Sequence, residues 1–147
     1  QRRVAPEPLA CGPHTDHRWL STMVMCSSGV ANLLAVSLAM QDPLGMALLL
    51  VMAHFVCDFS LQSDRMAQEK QPGHGRTLPW GWWLTAHAAT HGLAVALLTA
   101  QPLLGLLETM AHGLIDWCKG RWRWSMALDQ GLHLGCKLVW LLVLLHG

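Results

Sequence analysis

Charge is scarce in this chain. Asp, Glu, Lys and Arg make up 13% of its 147 residues, against roughly 25% in a soluble domain, while 52% of the residues are hydrophobic. A lipid-facing surface is the natural explanation. Ten basic residues against nine acidic ones leave a net charge of +1, without the clustered basic face that nucleic acid demands, so nucleic-acid binding is set aside. Cys11, Cys26, Cys57, Cys118 and Cys136 are odd in number and form no C-x-x-C pair, which argues against a disulfide framework or a zinc knuckle. They read as small apolar helix residues. Cys136, three residues after His133, is held in reserve as a soft metal ligand.

A polar outer face is also missing. A soluble four-helix bundle needs one on every helix, yet MALLLVMA (46–53) and LVWLLVLL (138–145) are apolar all round. Four stretches have the length to cross a hydrocarbon core of about 30 Å, which takes roughly 17–25 helical residues. They are segments A (43–61), B (82–100), C (102–118) and D (125–146). Only Gln101 and Pro102 separate B from C, whereas the A–B and C–D connections are polar. The expected fold is therefore all-α, an integral membrane four-helix bundle of up-down-up-down topology.

Basic residues fix its orientation. Arg65, Lys70 and Arg76 lie between A and B, and Lys119, Arg121 and Arg123 between C and D, while the B–C turn has none. The positive-inside rule puts both polar loops in the cytoplasm, and Trp80, Trp82, Trp83, Trp117, Trp122 and Trp124 fall at the same interface as an aromatic belt. Residues 1–42 form an N-terminal extension. Arg2, Arg3, Pro6, Pro8 and Pro13 read as an irregular tail, and 29–40 is too short to span. A surface helix or a leader fragment would fit. Because the chain begins with Gln, part of this stretch is expected to be non-native, with Met40 or Met46 as the true start.

Each segment carries one polar pair at four-residue spacing: His54 and Asp58 in A, His87 and His91 in B, His112 and Asp116 in C, Asp129 and His133 in D. That spacing puts both members on one helix face. Any single pair reads as a satisfied buried histidine with a polar neighbour. If His or Asp fills about a tenth of positions, one pair in each of four helices is roughly a one-in-several-thousand coincidence. The pairs fall late in A and C and early in B and D, as helices of alternating direction require if all eight side chains are to share one layer. Asp58, His87, Asp116 and Asp129 form the level nearer the loops, and His54, His91, His112 and His133 the level one turn deeper.

Five imidazoles and three carboxylates are a ligand set for Zn²⁺, Mn²⁺ or Fe²⁺. Three carboxylates near lipid need compensating cations. Two divalent ions and a bridging hydroxide would balance them. That balance suits a dinuclear site; the levels are about 6 Å apart, four residues at 1.5 Å each, against roughly 3.5–4 Å in two-metal sites, a gap for side-chain reach to close, with one ion and supporting residues as the alternative. One turn deeper, Glu108 and Lys137 are expected to meet as an intramembrane ion pair, or Glu108 serves as a general base. Gln62 extends the A face, and Asp64, Arg65 and Lys70 follow as a solvated turn or as a lid whose cations hold an anionic substrate.

These residues resemble a family of small bacterial membrane proteins, the domain of unknown function 3307 family. The matching pieces are AHFVCDFSLQ at 53–62 with Asp64, Met66, Ala67 and Lys70, then His87 and His91, HGLID at 112–116 with Lys119, and DQGLH at 129–133. The resemblance spans about residues 44–146 and implies a bacterial inner-membrane location and a motif set, without a reaction. Membrane-bound metal-dependent hydrolases offer a looser analogy.

The leading functional expectation is a membrane-embedded metal-dependent hydrolase acting on a lipid-like or membrane-associated substrate from the cytoplasmic interface. A divalent-metal transporter or sensor is the alternative, although 44–52, 93–98, 103–107 and 138–145 offer almost nothing polar for a path across. Haem held by His54 or His91 with His112 or His133 is a third, against which three adjacent aspartates favour a hard divalent ion. Nothing in the sequence specifies an oligomer.

Overall fold

The computed structural model describes residues 42–146; the extension of residues 1–41, and every expectation placed on it, lies outside them. Among the described residues the chain is all-helical, without strands. Its helices are α1 (Pro43–Phe55), continued by a π-helical turn (Val56–Ser60), the short α2 (Asp64–Glu69), α3 (Trp80–Thr99), α4 (Pro102–Trp122) and α5 (Met126–His146).

Local chemistry explains the boundaries. Asp42 caps α1, its carboxylate accepting from Gly45 N at 2.8 Å, and Pro43 occupies the first turn, where no backbone donor is required. Ser63 caps α2 in the same manner through Met66 N at 3.2 Å. Helix α3 stops at Ala100, which adopts a left-handed φ of 54°, and Pro102 opens α4 two residues later. Arg123, also at φ 54°, ends α4.

Helix α1 packs on α3 and α5, and α4 packs on α3 and α5. The α3–α4 contact is the most intimate. A Cβ on Gly92 would lie 2.5 Å from the Gly105 carbonyl oxygen, and one on Gly105 would lie 2.6 Å from both Ala96 Cβ and the Gly92 carbonyl oxygen. Small residues therefore let two backbones approach closely, with the chain directions opposed.

The distribution of polarity is inverted relative to a water-soluble domain. Buried polar or charged residues outnumber buried apolar ones by thirteen to seven among the described residues. Leu44, Leu48, Met52, Leu93, Leu97, Leu103, Leu106, Met110 and Leu138 instead face outward. The small apolar core, Met46, Leu50, Val95 and Leu104 with Leu98, Trp140, Leu141 and Leu144 against it, closes the end away from α2.

Two helical stretches, Pro43–Ser60 and Met126–His146, are long and apolar enough to cross a membrane. Four were expected. Helices α3 and α4 have the length, but His87 and His91 lower the hydropathy of α3, and Glu108, Asp116 and Lys119 charge every window of α4.

Candidate metal centre

All eight side chains of the four pairs are buried and converge between α1, α3, α4 and α5. His112 is at the middle. Its ring stacks between those of His91 and His133, with centroids 3.6 and 3.9 Å away. His87 lies 5.0 Å from it and His54 6.1 Å.

The π-helical turn presents Asp58. Leu61 N bonds to Val56 O at 2.9 Å, the i→i+5 bond that marks such a bulge, a device often found at functional sites. Asp58 Oδ1 is 3.2 Å from both His87 Nε2 and His91 Nε2 and 3.9 Å from His112 Nε2. The nitrogens of His87 and His112 face each other at 3.3 Å. Tetrahedral coordination with bonds of about 2.05 Å has edges of about 3.3 Å, so three of these separations match the edges of one small-cation polyhedron. The ligand atoms of Asp58, His87, His91 and His112 all lie within 4.8 Å of one another, as do those of His112, Asp116 and His133. His91 Nε2 stands close to Asp58 without hydrogen-bond alignment, and both nitrogens of His91 and His133 lack a hydrogen-bond partner. Buried polar atoms are seldom left so. A cation would satisfy them.

Three lysines occupy the same polar layer. Lys70 Nζ donates to Asp116 Oδ2 at 2.6 Å, Lys119 Nζ to Asp129 Oδ2 at 2.6 Å, and Lys137 to Glu108. Glu108 also accepts from Trp140 Nε1 at 2.5 Å and lies 3.4 Å from His112 Nδ1. The Glu108–Lys137 ion pair is thus present, and it abuts the ring at the middle of the cluster. Asp58 alone among these four carboxylates has no lysine: Gln130 Nε2 donates to its Oδ2 at 2.7 Å.

Of the other residues singled out in the sequence, Lys70 joins the cluster, whereas Arg65 stays exposed beside Glu69. Gln62 donates to the Asp58 carbonyl oxygen at 3.2 Å, bracing the bulge. Cys136 belongs to neither ligand group. Sequence reasoning passed over Gln130, Trp140 and the engagement of Lys119. Gln130 was discoverable as a polar residue beside Asp129, but it sits about 100° off the paired face.

Glu69 organises the loop that delivers Lys70. Its Oε2 accepts from Thr77 N (2.8 Å), Thr77 Oγ1 (2.7 Å), Arg76 N (3.0 Å) and Trp83 Nε1 (3.1 Å). These donors, Thr77 foremost, hold its carboxyl down at about 2.

The family model described as protein of unknown function, DUF3307, matches residues 46–146. The chain belongs to this DUF3307 family. The matched region contains all four pairs and all three lysines of the polar layer. No curated protein and no solved structure matches the chain.

Proposed function

We propose that this DUF3307 protein is an integral membrane protein of the bacterial inner membrane that holds a divalent cation, Zn²⁺, Mn²⁺ or Fe²⁺, in a site open to the cytoplasmic side, and uses it for hydrolysis. In this reading the four long helices form an up-down-up-down bundle. The outward leucines and the buried ionisable layer support a lipid surround. Arg65, Arg76, Arg121 and Arg123 crowd the loop end and support its cytoplasmic orientation.

The observation that carries the metal reading is the meeting of Asp58 Oδ1 with His87 Nε2 and His91 Nε2 at 3.2 Å each. Bound there, a divalent ion would supply Lewis acidity and lower the pKa of a water to near 7. The chain's own residues do the rest. Gln130 fixes one Asp58 oxygen and leaves the other for coordination, and Glu108 sets a carboxylate 3.4 Å from His112 Nδ1, on the side of the ring away from Asp58. The apolar core beyond Lys137 closes the far end, which favours a one-sided site over a conducting path. At the loop end, apart from the candidate ligands, an open cavity of about 740 Å³ is lined by Arg65, Gln68, Glu69, His74, Arg76 and neighbours; its two arginines would suit an anionic headgroup, with Glu69 already engaged by its own donors.

Elemental analysis of the full chain purified in mild detergent tests the metal assignment. Stoichiometric metal is expected in the wild type and its loss in His87→Ala and Asp58→Ala, with helicity retained by circular dichroism. Full occupancy in both variants would reject it.

A further inference from the structure

Asp58 and Asp116 occupy equivalent places in the two halves of the cluster, and their second oxygens are held differently. Gln130, a neutral amide, holds Asp58 Oδ2 at 2.7 Å. Lys70, an ammonium, holds Asp116 Oδ2 at 2.6 Å and is itself buried. Around Asp116 stand candidate ligands of a second cation position: His112 and His133 offer nitrogens that group with it within 4.8 Å, His133 Nε2 is 3.6 Å from Asp116 Oδ1 and 3.5 Å from Asp129 Oδ1, and neither His133 Nε2 nor Asp129 Oδ1 has a hydrogen-bond partner.

We propose that Lys70 is a tethered second cation: its ammonium does at Asp116 what a second divalent ion would do, so that the chain binds one ion, at the Asp58 side. This rests on the metal reading above and adds a count and a residue to it. Charge supports the count. Asp58, Asp116, Asp129 and Glu108 contribute −4, and Lys70, Lys119 and Lys137 contribute +3. The sum is −1 with neutral imidazoles. One divalent ion and one hydroxide bring the layer to neutrality, whereas two ions would leave +3, which takes three hydroxides to cancel; without the Lys70 ammonium two ions leave +2, which two hydroxides cancel.

The tether is built rigidly, as such a role needs. Lys70 directly follows α2, next to Glu69 with its four donors. On its other side, Gln71 and Pro72 press on α4 at Gly120, where a Cβ would lie 2.1 Å from Gln71 Oε1. The ammonium is therefore delivered from outside the four long helices to one fixed place.

The test is the number of zinc ions per full-length chain after loading with Zn²⁺ in mild detergent and exhaustive dialysis. The wild type should hold one. Lys70→Gln, which gives Asp116 the kind of neutral donor that Gln130 gives Asp58, should hold two, and Lys70→Gln combined with Asp116→Asn should return to one. Two ions in the wild type, or one in a folded Lys70→Gln, overturns the tethered-cation proposal and leaves the metal site standing. No zinc in the wild type overturns both. Lys70→Met serves as a second probe, with the same expectation of two, should Lys70→Gln lose helicity.

Discussion

The imidazole of His112 stacks on that of His91, with ring centroids 3.6 Å apart and planes inclined by 22°. Two rings this close disfavour a charge on both at once. What permits the stack is the approach of α3 and α4 at Gly92 and Gly105. Gly105→Ala should push the helices apart, since the new methyl meets Ala96 Cβ and a backbone oxygen at 2.6 Å. Overpacking of this kind costs about 1–3 kcal/mol. Thermal unfolding in detergent should show a lowered midpoint together with weakened metal binding; an unchanged midpoint would mean that the contact is softer than it looks.

Gln130 provides a handle on the Asp58 side, because it holds that carboxylate, with His54 Nε2 at 3.1 Å and Asp129 Oδ2 at 3.3 Å beside it, and donates no ligand atom in our reading. Gln130→Leu frees Asp58 Oδ2 and loosens the oxygen opposite it. Loss of an orienting partner of this type typically costs about 10–100-fold in metal affinity. Competition against a chromophoric chelator would read the change, and an unaltered affinity would show that the bulge alone fixes Asp58.

Glu108 and Lys137 test the deep layer. Removing one partner of a buried pair strands the other, at about 3–5 kcal/mol. Glu108→Ala should therefore be severely destabilised, and Glu108→Leu with Lys137→Met should recover most of the loss. Equal instability of the single and double variants would show that contact with Trp140 and His112, rather than charge pairing, is what Glu108 supplies.

Acid should loosen the loop before the helices. With the Glu69 carboxyl at about 2 in the folded chain against an ordinary 4.5, its contribution is complete above about pH 4.5 and is lost as pH falls toward 2. Hydrogen exchange of residues 70–79 should speed up across that window in the wild type. In Glu69→Gln it should be faster at neutral pH and nearly flat with acid. A flat wild-type profile would detach loop order from this carboxylate.

Much of this arrangement is legible in the sequence, because four-residue spacing and alternating depth are direct readouts of helix geometry. The merging of the two levels is not. Cβ atoms lean toward the N-terminus of their own helix, so on oppositely directed neighbours Asp58 leans down and His91 leans up until they lie 3.2 Å apart, where a straight count of rise gives about 6 Å. The π-helical turn is invisible to a periodicity argument, since one added backbone step leaves no compositional mark. In the sequence Lys70 and Lys119 read as members of polar connections, where a solvated fate is the default, and only the fold reveals that Lys70, just after α2, and Lys119, in the last turn of α4, both turn inward onto aspartates. Helices α3 and α4 fall short of a spanning hydropathy for a related reason: the residues that build the site are the ones that depress it.

The low hydropathy of α3 and α4 bears on how such a chain would enter a bilayer. In the bilayer arrangement proposed here, neither α3 nor α4 is apolar enough to partition alone, yet only Ala100 and Gln101 separate them. Held against each other at Gly92 and Gly105, they turn His87, His91, His112 and Asp116 toward the cluster shared with α1 and α5. Insertion as a single hairpin would follow from that arrangement, and a lengthened turn should then delay its entry while leaving the finished site intact.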